Sequence, residues 1–463
     1  MSAFEGPPEL MTMRTNSMYT TRQLAEHVHS ISSRPPEVST RDTALRCILD
    51  LVGAAVAGSA LRSSCAARHS AAALFGRGDA TMWMADQTAM PIGALIANAT
   101  AASALDLDDG HRAARGHPGA CVVPTVLTLA PLARVSADDV LSAIVAGYDV
   151  GVRVAAAQNP TGIQTRQSGR WAALAAVAAA ASLSKVEPSI TSQALSIAGV
   201  LAPNQQANGS SGYARLTGND VKEGIPWSAA TGLMALDLAR NGYTGPEDLL
   251  DHPAYYDSER ILEGLGHRFE ICGTYFKPYA CCRYIHPALD RLFDLVKAHE
   301  LTVADIVSVE VETFGWALKL GNVLKPSNLV EIQYSLPYCI AVAVMEGRDA
   351  LAPIGEGLLN REDLSEFARE VKITVNPDIE AVFPAKTLAR VIVETRQHKY
   401  VSALDGPVGD PHRPMDWYAV EEKFLRVTRH VLSPSKQQQI IDGVLWVADG
   451  EIDTLLRHLR SST

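Results

Sequence analysis

The sequence predicts a mainly α-helical chain with a second, α+β domain, the large all-helical domain being built from both chain ends. Three observations predict this. From Thr21 to about Leu265 apolar residues recur at helical spacing; between about Val303 and Thr395 the period changes to alternation; from Tyr418 the helical period returns. At 463 residues the chain is too long for one core. The expected division is a helical domain over 21–270, an α+β domain over 271–405, and C-terminal helices over 406–463 that return to the first domain. Residues 1–20 hold no apolar run, so they are expected to be a flexible tail and not a signal peptide.

Each element follows from local pattern. Ser39-Thr-Arg-Asp42 resembles a capping box before a helix over Ala44 to Val56, and Ser136-Ala-Asp-Asp139 opens another that runs to Ala155. In the second, Leu141, Ile144, Val145 and Tyr148 fall on one face. The alanine-rich run Trp171 to Leu183 is too short for the ~20 apolar residues of a membrane helix and suits close packing inside a core. Val307, Val309 and Val311 alternate with polar residues, Val371, Ile373 and Val375 repeat the pattern, and Arg390-Val-Ile-Val-Glu394 supplies a third strand. Helical stretches at Leu336 to Met345 and Asp363 to Glu370 lie between them. Proline and glycine in Gly406 to Pro414 mark the return crossing, followed by helices over Tyr418 to Val431, Ser435 to Val447 and Ile452 to Leu459.

Composition narrows the function. A hydrophobic fraction of 47% with 20% charged residues describes an ordered globular protein. The net charge of −10 argues against nucleic acid or an anionic membrane as main partner, since both require a basic face. Seven cysteines, an odd number, make no disulfide framework and point to a reducing compartment, the cytoplasm.

The densest chemistry lies in Ala104 to Ala120, where Asp106, Asp108, Asp109, His111, Arg112, Arg115 and His117 sit between two apolar helical segments. Such polar density costs a core several kcal/mol unless it is paired or faces a cleft, so this stretch reads as one wall of an active site. His111 and His117, six residues apart, lie on different faces of any helix and do not form a metal pair by spacing. Imidazole beside carboxylates suits proton transfer near neutral pH. The glycine-rich stretch Asn208 to Gly224 lacks phosphate-loop spacing, and its Arg215 and Lys222 suit a carboxylate instead. Phe276 to His286, at the texture change, offers Lys277 and Arg283 as anion clamps. Its adjacent Cys281 and Cys282 have no zinc spacing and read as buried thiols or nucleophiles.

These segments, with Gly147-Tyr-Asp-Val-Gly-Val-Arg153 and Tyr243-Thr-Gly-Pro246, occur in an order that resembles the MmgE/PrpD family of 2-methylcitrate dehydratases, cis-aconitate decarboxylases and iminodisuccinate epimerases. The resemblance runs from Thr21 to Tyr418. It implies a helical domain and a smaller α+β lid, a site between them without metal or organic cofactor, a small polycarboxylate as substrate and a homodimer. Residue by residue it implies Asp106, His117, Lys222, Lys277 and Tyr338 as site residues. With the residues that the chain itself offers, the candidate set is His117, Asp106, Lys222 and Tyr338 as catalytic and Lys277, His111, Arg166 and Cys282 as substrate-binding. The chain departs from the family where histidines are usual: those positions fall on Ile163, Ile225 and Cys282. The expected activity is a cofactor-independent hydro-lyase that abstracts a proton next to a carboxylate and expels water. Decarboxylation, epimerisation and a carboxylate-binding protein on a retained fold are the alternatives.

Overall fold

The computed structural model describes residues 18–34, 37–165, 167–204 and 217–461. Residues 1–17 of the expected tail, Arg166 and Arg215 lie outside them. The expected tail is shorter than 1–20: Thr20 opens the first helix, and its N–H and Oγ donate to the Asp251 carboxylate at 3.0 and 2.6 Å.

The N-terminal part runs α1 (Thr20–Ser32), α2 (Val38–Ser59), α3 (Arg62–Phe75), the hairpin β1 (Ala80–Met82) and β2 (Gln87–Ala89), α4 (Pro91–Ser103), and β3 (Gly110–His111). It continues through α5 (Gly119–Ala133), α6 (Ala137–Ala156), α7 (Ala172–Leu183), α8 (Pro188–Leu201), α9 (Ile225–Arg240) and α10 (Ser258–Leu262). All of α7 is buried. Small residues let its neighbour approach: a Cβ on Gly151 of α6 would stand 2.7 Å from that of Ala175. The capping box at Ser136 and Asp139 forms, each side chain taking the other's N–H. The expected box at Ser39 does not. Helix α2 starts one residue earlier, after Glu37, and Asp42 pairs with Arg46 at 3.0 Å within the helix.

β4 (Thr274–Tyr275) pairs with β3 and so ties the start of the 276–286 motif to the 104–120 loop. The smaller part follows with α11 (His286–Ala298), β5 (Ile306–Thr313), α12 (Leu329–Gln333), α13 (Leu336–Met345), α14 (Glu362–Arg369), β6 (Val371–Val375), α15 (Pro377–Val382), β7 (Arg390–Thr395) and β8 (Lys399–Val401). Its sheet has the order β6-β5-β7-β8, parallel only between β5 and β6. Val309 and Val311 are buried as the alternation requires. Val307 is 46% exposed, because the β5–β7 register shifts between Ile306 and Ser308 and turns it outward.

The chain ends with α16 (Trp417–Thr428), α17 (Pro434–Ala448) and α18 (Asp453–His458). Their Val420, Phe424, Ile440, Val444 and Leu455 belong to the same buried cluster as the N-terminal helices. A second cluster is built mainly from residues 279–393 and also takes in Leu105 and Leu107 from the N-terminal part. This is the mainly α architecture with a smaller α+β part that the periodicities predict. Among the described residues no single helix is long and apolar enough to cross a membrane.

Candidate active site

The site forms where α4 ends, α5 begins and the loop before α9 meets the motif before α11. Asp106, just past α4, takes a left-handed backbone conformation at φ +53°. Its buried carboxylate receives two lysines: Lys277 Nζ lies 2.8 Å from Oδ2 and Lys222 Nζ 3.5 Å from Oδ1. Lys222 also donates to the carbonyl of Ser103 at 2.8 Å, at the C-terminal end of α4, where helix carbonyls favour a cation. Burial alone would raise the Asp106 carboxyl; the Lys277 and Lys222 ammonium groups and the His117 ring overcome it and hold it well below the usual carboxylate range. Lys277 is fully buried, which by itself disfavours its charge, yet Asp106 and Asp108 push its pKa above the ordinary value.

His117 precedes α5. Its Nδ1 lies 2.8 Å from the Asp109 carbonyl, which only accepts, so Nδ1 carries a proton and Nε2 is the nitrogen that titrates. Asp108 Oδ2 lies 3.3 Å from Nδ1; Asp106 Oδ1 and Glu223 Oε1 lie 3.7 and 4.0 Å from Nε2. Burial and Lys277 disfavour a charged ring, but Asp108, Asp106 and Glu223 outweigh them and raise its pKa. The carboxylates around the ring thus favour its charged form. A small crevice opens here, lined by Asp106, Asp108, His117, Lys222, Glu223 and Ile225.

The floor is also charged. Asp109 accepts from the Tyr148 hydroxyl at 2.5 Å and the Gly119 N–H at 3.0 Å, and burial, with Asp50 and Asp108 nearby, pushes its carboxyl up to about 7. Lys423 of α16 donates to Asp50 of α2 at 2.5 Å and to the Leu107 carbonyl at 2.7 Å, so a C-terminal helix props the loop that carries Asp106.

Of the sequence-predicted residues, the structure brings together Asp106, His117, Lys222 and Lys277. Cys282 is buried beside them: its N–H bonds the Gln333 carbonyl at 2.8 Å, and Gln333 Nε2 bonds the Ala104 carbonyl at 3.0 Å. Two residues stand elsewhere. Tyr338 is turned into the smaller part, where its hydroxyl donates to the Leu358 carbonyl at 2.5 Å. His111 packs against Gly273, where a Cβ would meet its Nε2 at 2.4 Å, and burial pushes its pKa down to about 4. Ile163 is a core residue, whereas Ile225 lines the pocket.

Sequence reasoning passed over four contributors. Tyr334, the other tyrosine of the Gln333 to Tyr338 motif, is buried, and burial together with Asp106 and Glu223 holds its phenol well above the ordinary value. A helical-wheel reading of α16 would have found Lys423, a lysine on the face of Val420, Phe424 and Val427. Glu223 and Ser168 carried no signal beyond their neighbours.

Asp106, Asp108 and His117 each bring one ligand-type atom within 4.8 Å of the others. A metal ion among them would have to displace two lysines from Asp106, whose single charge they more than balance, so this donor set does not fit a metal site.

The sequence models of the MmgE/PrpD N-terminal and C-terminal domains match residues 22–257 and 279–446. The cis-aconitate decarboxylase of Aspergillus terreus is 23% identical over 394 residues, 77% of this chain and 78% of the fungal protein. A cis-aconitate decarboxylase-like protein of Aspergillus oryzae is 27% identical over 227 residues, 44% of this chain and 46% of its own. With both domain models matched in order over most of its length, the chain belongs to the MmgE/PrpD family.

Proposed function

We propose that this protein is a lyase of small di- or tricarboxylates in which His117 transfers a proton at a carbon next to a carboxylate, without a cofactor. The observation that carries this reading is the His117 ring, raised toward its charged form by three carboxylates and set 3.7 Å from an aspartate that two lysines neutralise. Lys222 and Lys277 supply positive charge where carboxylate or carbanion charge develops, and Tyr334 supplies a neutral hydroxyl beside it. Residues 21–270 and 406–463 form the helical domain and 271–405 the lid in this reading. A homodimer in the cytoplasm completes it, the compartment being supported by the odd cysteine count.

Two bond cleavages fit proton transfer by His117. In dehydration neutral His117 takes the carbon proton while the Tyr334 hydroxyl protonates the leaving hydroxyl, which departs as water. In decarboxylation the proton goes to carbon as CO₂ departs. The buried Ile225 on the pocket lining supports the second, because a carboxylate against it loses hydration that neutral CO₂ does not need. The Aspergillus terreus relative, a cis-aconitate decarboxylase, agrees with it.

The test is proton NMR in D₂O with citrate, 2-methylcitrate, cis-aconitate and iminodisuccinate. Loss of CO₂ with deuterium entering the product at carbon, or loss of water with the carbon proton released to solvent, is the expected result. Deuterium exchange without net product would indicate an epimerase, and inertness of a folded sample toward all four would sink the reading.

A further inference from the structure

Three segments distant in sequence meet at one serine. Ser168 opens a 3-10 turn (Ser168–Arg170) and is wholly buried. Its hydroxyl donates to Glu223 Oε2 at 2.5 Å and accepts the backbone N–H of His117 at 3.0 Å. The same Oε2 accepts the Ser168 N–H at 2.9 Å, and the Glu223 carbonyl accepts the Gly169 N–H at 2.9 Å. The approach is close enough to require glycine on both sides. A Cβ on Gly116 would stand 2.3 Å from Ser168 Oγ, and one on Gly169 2.4 Å from the Glu223 carbonyl oxygen.

The loop that carries Glu223 is bent to match. Lys222 has φ +46° and Gly224 φ +70°, so two left-handed residues flank Glu223. A lysine rarely takes that conformation, and it persists only where the surroundings hold it. As a result Lys222 reaches Asp106 while Glu223, the next residue, reaches Ser168 with one oxygen and lies 4.0 Å from His117 Nε2 with the other.

We propose that Glu223 and Ser168 are positioning residues: Ser168 locks the His117 backbone to the loop that carries Lys222, and Glu223 holds that serine while presenting a carboxylate to the outer nitrogen of the His117 ring. This rests on the reading of His117 as the proton-transferring group. The other charged groups facing the ring are Asp106 and Asp108 from the loop after α4, Lys277 from the motif before α11, and Lys222 through Asp106. Glu223 is thus one of three carboxylates that oppose burial and Lys277. It is the one whose charge can be removed while an oxygen stays in place for Ser168, by exchange to glutamine.

The experiment follows the His117 ring by NMR in full-length protein with labelled histidine, its signal assigned by loss in His117→Gln. Glu223→Gln is expected to lower the ring's titration midpoint by about one pH unit, the low end for loss of a nearby opposite charge, with its melting temperature nearly unchanged. In Ser168→Ala the His117 backbone amide, whose acceptor is gone, is expected to exchange with solvent at least about tenfold faster. An unmoved midpoint in folded Glu223→Gln overturns the proposal. If that variant does not fold, unchanged amide exchange in Ser168→Ala overturns it instead. Both expected shifts together with no turnover of any polycarboxylate would uphold the positioning and reject the proposed function, so the two fail separately.

Discussion

Asp106 and Lys222 stand 116 positions apart, both in left-handed backbone conformation, and meet at 3.5 Å while Lys277 closes on the same carboxylate at 2.8 Å. Two non-glycine residues held in that region and joined to each other mark a site whose geometry is imposed by the whole fold. The carboxylate favours the charged form of Lys277 in a buried place.

Asp106→Asn should therefore be costly beyond the loss of any chemistry. Removing one partner leaves buried ammonium groups uncompensated, and a destabilisation of about 3–5 kcal/mol is expected. Urea unfolding monitored by circular dichroism measures it. A loss within experimental error would mean that water, and not Asp106, neutralises the lysines.

Asp109 gives a pH signature with a definite sign. Its carboxyl is raised to about 7 in the folded chain, against an ordinary unfolded value near 4, so between those values the folded state binds more protons. The stability from this group is complete below about pH 4 and is lost as pH rises through 7. The slope reaches about 1.4 kcal/mol per pH unit. Denaturant unfolding from pH 4 to 8 should show wild type losing stability relative to Asp109→Asn as pH rises through that window; a constant difference would contradict it.

The two tyrosines of the 333–338 motif separate by role. Tyr334→Phe is expected to lower turnover about tenfold or more by removing a hydroxyl beside Asp106 and Glu223. Tyr338→Phe removes only the bond to the Leu358 carbonyl and should cost about 1 kcal/mol of stability with turnover kept. Steady-state kinetics and thermal melts of the two variants check this, and the reverse pattern would restore Tyr338 to the site.

Lys423→Met is expected to weaken both stability and turnover, since it strands Asp50 and releases the Leu107 carbonyl beneath Asp106. Here too a loss of about 3–5 kcal/mol is the scale for a broken buried pair. A folded variant with wild-type turnover would show that the prop is dispensable.

The change of period at Val303 and the return of helix at Tyr418 made the fold legible, because periodicity reports which face is buried. Asp106, His117, Lys222 and Lys277 were legible because charge in apolar surroundings must be paired or functional. What escaped was direction. Tyr334 and Tyr338 share one motif, and only the turn at the end of α12, where Tyr334 has φ −115° and ψ 23°, decides which faces the carboxylates. The bulge that exposes Val307 is likewise a property of strand register, which no single strand encodes. Ser168 and Glu223 meet each other, and the backbone and ring of His117, through side-chain contacts between segments distant in sequence, a relation composition does not reveal.

The central claim is that His117 moves the proton. The most direct measurement is deuterium incorporation at the carbon next to the carboxylate during turnover in D₂O, comparing wild type with folded His117→Gln. The account predicts incorporation and turnover in wild type and a loss of both by about a hundredfold or more in the variant. Undiminished incorporation in His117→Gln would contradict it.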